Sequence, residues 1–240
     1  EQEGLQDIVV TAQRRSENLQ RAAISVSTAG AEDLKRAAVT EVSGLTALAP
    51  ALQASRQGSF TIFYIRGVGG PSLNAYSEAP VAYNLDGVYV ARADTVNGQF
   101  FDIERIEVLK GPQGTLYGRN ATAGAINAIT KSPEIDKIGG YLNAEYGNYD
   151  KKLVEGALNV PIGSRTAARL AFQVIDRDGY FKDGTDDEKS QSARLTVKSE
   201  LSDTMTLTAG YDYSHLGGRN AGAAMLLPAN IAPTRGGLGD

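Results

Sequence analysis

The sequence predicts an α+β domain with a small mixed sheet and short helices, followed by antiparallel transmembrane β-barrel strands. Three observations predict it. Helix and strand signals are interleaved up to residue 135. Past residue 137 the helical patterning stops, and five segments of alternating polarity follow. These segments run about 9–11 residues, the length a tilted strand needs to cross a bilayer.

Composition narrows the classes. Of the 240 residues, 42% are hydrophobic and 22% charged, an ordinary folded balance. A net charge of −4 offers no attraction to a nucleic-acid backbone, so no nucleic-acid partner is expected. The chain has no Cys, which excludes disulfides and thiolate metal sites. Its single histidine, His215, argues against a His-rich metal site and against a Ser-His-Asp triad. Neither an enzyme nor a resident cofactor is expected. No run of 18 apolar residues is present, so no transmembrane helix is predicted. The polar start Glu1-Gln2-Glu3 carries no signal peptide, as expected of a mature form with its signal removed.

Taken in order, residues 1–20 read as a polar tail with one β-prone patch, Asp7-Ile8-Val9-Val10-Thr11-Ala12, without an obvious local partner. The patch is either a first edge strand or an exposed segment that adds to another protein's sheet. Residues 22–28 alternate as a strand, and 31–38 and 40–48 read as short helices, the second ended by Pro50. Residues 60–66 form a strong strand that runs into a Gly-rich loop, 67–71. Asp86-Gly87 between two alternating runs predicts a two-residue hairpin with a type I′ turn. Residues 103–110 form a strand with Ile106 and Val108 on its apolar side and Arg105 and Glu107 on its charged side. A compact turn region, 111–118, leads to a last strand over 124–130.

The five later segments each carry an aliphatic and a polar face. Val154, Leu158 and Val160 oppose Glu155 and Asn159, and Leu170, Phe172 and Val174 oppose Arg169, Gln173 and Arg177. Connections alternate between tight turns (161–164 and 201–203) and longer polar stretches (178–190 and the tail after 215), the asymmetry of a membrane barrel. The short stretch 148–150 is the exception, lying where an outer loop is expected. Tyr180, Tyr211 and Tyr213 are placed near the outer interface. Two Gly-rich stretches are decoys: 67–70 lacks the third Gly of a dinucleotide loop, and 111–118 lacks the Gly-Lys-Ser/Thr of a phosphate loop.

The stretch from Ile103 to Lys131, reading IERIEVLKGPQGTLYGRNATAGAINAITK, resembles the plug signature of TonB-dependent outer-membrane receptors. Asp7 to Ala12 resembles the family's TonB box, Ile65-Arg66-Gly67 its Ile-Arg-Gly, and Asp86-Gly87-Val88 its hairpin. The resemblance implies a tail with a TonB box over 1–20, a plug domain over 21–135 and the first barrel strands over 136–240. Family barrels have about 22 strands, so these five are expected to be part of a longer wall.

What the resemblance implies for function is TonB-dependent uptake of a scarce, large solute across the outer membrane of a Gram-negative bacterium. A ferric siderophore leads; oligosaccharide, haem and vitamin B12 are alternatives, and a passive outer-membrane adhesin with a degenerate plug is the alternative class. The implied partners are the periplasmic domain of TonB, outer-membrane lipid and a surface lipoprotein over the barrel. Arg66, Glu104, Arg105 and Glu107 are expected to make ionic contacts of the plug, and Ser72, Asn74, Tyr76 and Glu78 to face ligand on an apical loop.

Overall fold

The computed structural model describes residues 9–10, 17–18, 24–57, 60–70, 79–91, 96, 98 and 100–219. Near the start, β1 (Val9–Val10) pairs antiparallel with β2 (Glu17–Asn18). The tail patch therefore has a local partner, which the polar residues around it did not suggest.

β3 (Ser25–Gly30) runs directly into α1 (Ala31–Arg36). The helix starts here because Asp33 reaches back to accept the Gly30 N–H at 3.0 Å, satisfying a donor left free at the helix start. The next turn, Val42–Ala47, is a 3-10 helix rather than the helix expected over 40–48. It is only six residues long, and Val42 and Thr46 are β-branched and stiff. Val42 and Leu45 are both driven into the core.

β4 (Leu52–Gln57), β5 (Phe60–Ile65) and β6 (Val68–Gly69) make a small antiparallel sheet. β4 has no alternating signature; the strong strand β5 supplies the ladder that holds it. β6 lies in the stretch expected to be a loop.

β7 (Val81–Leu85) and β8 (Val88–Tyr89) flank the predicted turn, where Asp86 and Gly87 both have positive φ, 48° and 81°. That pair of values is the signature of a type I′ turn. β9 (Ile103–Lys110), the four-residue helix α2 (Gly114–Tyr117) and β10 (Gly124–Thr130) complete the unit. The large sheet has the order β3-β9-β10-β7-β8, with β7 and β10 parallel and the other pairs antiparallel, so it is mixed.

Both faces of this sheet are covered. Ile106, Val108, Ile126, Val81, Tyr83 and Leu85 pack on one face with Leu45, Leu52 and Ile65. Leu109, Ala82, Ala125 and Tyr117 pack on the other. The expected charged side of β9 is therefore interior, and Glu107 is fully buried. It belongs to a polar row that the register aligns across the sheet: Thr28, Glu107, Asn127 and Asn84.

After Thr130 the chain turns into a wall of five antiparallel strands: β11 (Gly139–Gly147), β12 (Lys151–Pro161), β13 (Thr166–Arg177), β14 (Glu188–Ser202) and β15 (Met205–Gly217). Register aligns the aliphatic faces, with Leu158 opposite Leu170, Leu170 opposite Leu195 and Leu195 opposite Tyr211. These rows are left exposed, while Leu153, Ala157, Ala167 and Ala171 on the other face are buried, Ala157 and Ala171 against Phe101. An aliphatic outer face and a polar inner face are what a lipid-facing barrel wall presents. No helix among the described residues is long and apolar enough to cross a membrane, which says nothing of crossing by strands.

Candidate functional site

The candidate functional surface is the seam where the mixed-sheet unit packs against the polar face of the wall. Its centre is the corner Phe101–Asp102. Phe101 packs against Ala157, Ala171 and Tyr141 of the wall. Asp102, at φ 52°, turns its carboxylate onto Arg169 of β13, which donates from Nε at 2.7 Å and from Nη2 at 2.6 Å. The two side chains are 2% and 8% exposed. A planar guanidinium fork suits this two-point contact; a lysine could not make it.

Neighbouring contacts continue along the wall. Arg194 of β14 donates to Asp212 at 2.6 Å and to the Phe101 carbonyl at 3.0 Å, with its guanidinium 4.5 Å from the Phe101 ring centre. Ser214 of β15 donates to the Gly98 carbonyl at 3.3 Å. Below the corner, Asn159 of β12 holds the connecting segment. It accepts from the Glu134 N–H and donates to the carbonyls of Glu134 and Lys137, at 3.0, 2.8 and 2.6 Å.

At the end of the wall that carries the longer 178–187 connection, Arg56 of β4 meets Glu188 of β14 at 3.0 Å. Arg56 also lies 3.4 Å from Glu41, and Glu188 lies 3.9 Å from Arg177. Burial, the largest influence, works against the Arg56 charge, but Glu188, Glu41 and Asp186 together outweigh it and hold the guanidinium above its ordinary value. A cavity of about 250 Å³ opens between Glu41 and Arg56 on one side and Lys151, Arg177 and Tyr180 on the other.

The residues singled out from sequence fall in several places. Val9 and Val10 lie in the β1–β2 ribbon; Asp7, Ile8, Thr11 and Ala12 lie outside the described residues, as do Ser72, Asn74, Tyr76 and Glu78. Arg66 is exposed at φ 53° and donates to the Ser25 hydroxyl at 3.2 Å. Arg105 bridges Glu104 at 2.5 Å and Glu107 at 3.0 Å along β9. Among the described residues, two ion pairs cross to the wall through residues that sequence reading did not single out: Asp102 with Arg169, and Arg56 with Glu188. A usable signal existed for Arg169, because a charge on a face that becomes covered needs an opposite charge within reach. Nothing local marked Asp102 as that partner. Among the described residues, no group of three or more His, Cys, Asp or Glu is placed to hold a metal ion.

Residues 18–125 match the family model described as the TonB-dependent receptor plug domain. This chain belongs to the TonB-dependent receptors. The pesticin receptor of Yersinia pestis is 32% identical over 180 residues, covering 71% of this chain and 26% of the relative. The catecholate siderophore receptor Fiu of Escherichia coli K12 is 36% identical over 99 residues, 35% of this chain and 13% of the relative. The chain thus spans about a quarter or less of the curated relatives it resembles. Among solved structures, the ferric yersiniabactin uptake receptor FyuA of Y. pestis superposes with a TM-score of 0.70 at 23% identity, covering 80% of this chain and 32% of that one. The ferripyoverdine receptor of the Pseudomonas aeruginosa outer membrane, bound to ferripyoverdine, superposes at 0.71 with 18% identity over 86% and 27%. These superpositions establish the fold: a plug against the first strands of an outer-membrane barrel. The mixed-sheet unit is the plug of this receptor, and the five strands are part of the wall of a Gram-negative outer-membrane protein.

Proposed function

We propose that the intact receptor takes up a ferric siderophore across the outer membrane, using force delivered by the periplasmic domain of TonB. One observation carries this reading: a folded plug is pinned by buried polar contacts to the inner face of a wall whose outer face is aliphatic. A barrel of about 22 strands is too wide to be filled by its own side chains, so transport requires a plug that blocks the lumen and rearranges. The named relatives, receptors for catecholate siderophores and ferric yersiniabactin, support the choice of cargo.

The chain then divides into a tail (1–20), a plug (21–135) and a wall (136–240). Asp7 to Ala12 serves as the TonB box and adds as a strand to TonB through main-chain hydrogen bonds. Val9–Val10 is already paired with Glu17–Asn18, so TonB exchanges one ladder for another. Ser72, Asn74, Tyr76 and Glu78 contact cargo from the apical side. Arg66, exposed and held by a single serine, reaches a carboxylate on wall strands beyond these five.

The test is Val9→Pro in the intact receptor. Proline removes a ladder donor, so uptake of labelled ferric chelates is expected to stop while surface binding persists. Full uptake by the variant would overturn the TonB-box assignment. A panel of ferric chelates, with growth on each as readout, identifies the cargo; growth on none of them would overturn the siderophore reading.

A further inference from the structure

Among the described residues, the two ion pairs that join plug and wall differ in what each partner keeps when the contact opens. Asp102 and Arg169 are almost fully buried and share two hydrogen bonds, and among the described residues neither has a second ion-pair partner. Opening this pair strands two charges in a space that excludes water. Arg56 and Glu188 are 25% and 17% exposed and beside a cavity. Each has a second partner on its own side of the seam: Arg56 keeps Glu41 on the plug, and Glu188 keeps Arg177 on the wall. Opening that pair exchanges partners and strands nothing.

We propose that the Phe101–Asp102 corner is a permanent pivot and that Arg56–Glu188 is a releasable clasp. During uptake β9 and β10, with β3 laddered to β9, stay against the wall while the segment from Thr40 to Ile65, which carries Glu41 and Arg56, moves away. The proposal rests on the transport reading above and adds to it which part of the plug moves.

Three further observations place the pivot at the corner. Lys131 donates its N–H to the Asp102 carbonyl at 3.0 Å, so the end of β10 and the start of β9 are tied together. The connection from plug to wall leaves from this same point and is held by the three Asn159 hydrogen bonds. Asp86, in the β7–β8 turn, accepts from the N–H and the hydroxyl of Thr130 at 2.8 Å each, fixing that turn to the pivot end of β10. Asn84 and Asn127 are register partners on β7 and β10, and Asn84 Nδ2 and Asn127 Oδ1 are buried without a hydrogen-bond partner among the described residues.

The experiment uses the intact receptor in a cysteine-free background with two engineered pairs that leave all four ion-pair residues in place. Thr40→Cys with Lys151→Cys spans the cavity beside the clasp, and Glu104→Cys with Lys198→Cys spans the seam beside the corner. Bridging with a short bifunctional maleimide is expected to abolish ferric-chelate uptake at the clasp, with surface binding retained, and to leave uptake intact at the corner. Spin labels on the same positions give a readout independent of uptake: in rising urea, the 40/151 distances spread before the 104/198 distances. Loss of uptake on bridging the corner, or corner labels separating first or together with the clasp, would overturn the proposal. A receptor that takes up no chelate yet opens at the clasp first would reject the transport reading and support the pivot and clasp.

Discussion

Asp33 does at the level of one residue what the sequence around it could not do alone. Its carboxylate accepts the Gly30 N–H and pairs with Arg36, joining the end of β3 to the first turn of α1. The Gly30 hydrogen bond, then the Arg36 contact, hold its pKa below the unperturbed 3.8. A carboxylate whose folded pKa is depressed contributes its full stability above the unfolded value and loses it as pH falls through the folded one. The protection of the Gly30 amide, its exchange rate compared with the intrinsic rate at the same pH, is therefore expected to stay high at pH 5 to 7 and to fall below about pH 3.8. Asp33→Asn should flatten that dependence. Tyr83 shows the opposite case: burial pushes its hydroxyl above the ordinary tyrosine range, and the group has no hydrogen-bond partner among the described residues.

At the scale of elements, β9 and β10 are the frame of the plug, and their pairing leaves no room at Gly124. Its φ is +152°, and an added Cβ would sit 2.2 Å from the Leu109 carbonyl oxygen. Backbone, unlike a side-chain tip, cannot swing away. Gly124→Ala is expected to destabilise the receptor by about 1–3 kcal/mol or more, read as a lower urea midpoint, because both strain and overpacking act. The Asp86-Gly87 turn was legible because two-residue hairpin turns demand positive φ at both positions. β4 was not, since residues 52–57 acquire their strand from β5 and not from their own pattern.

At the scale of the molecule, the plug is held by a few polar contacts spread from one end of the wall to the other. The buried pair Asp102–Arg169 is the strongest of them by geometry. Asp102→Asn would leave Arg169 charged and unpaired, at an expected cost of about 3–5 kcal/mol in plug docking. Adding Arg169→Gln should recover much of that loss, because no buried charge remains. Limited proteolysis of the plug in the detergent-solubilised receptor, compared across the two variants, checks the prediction. Equal sensitivity of the single and double variants would mean that the residue at 102 matters for shape and not for charge.

Apart from β4, β6 and the 3-10 turn at Val42–Ala47, the sequence alone determined the order of the plug strands and the wall, and with them the family, because these follow from periodicity, turn chemistry and an unbroken motif from Ile103 to Lys131. It also marked which face of each wall strand is polar, since alternation assigns faces without any knowledge of partners. Only the tertiary structure decided what those polar faces meet. Asp102 and Arg169 lie 67 residues apart, and Arg56 and Glu188 lie 132 apart. No local pattern encodes a pairing across such distances; it arises when a mixed sheet, closed on both of its faces, is laid against a wall folded later in the chain. The burial of Glu107 has the same origin: an alternating charge reads as a solvent face until a second layer covers it.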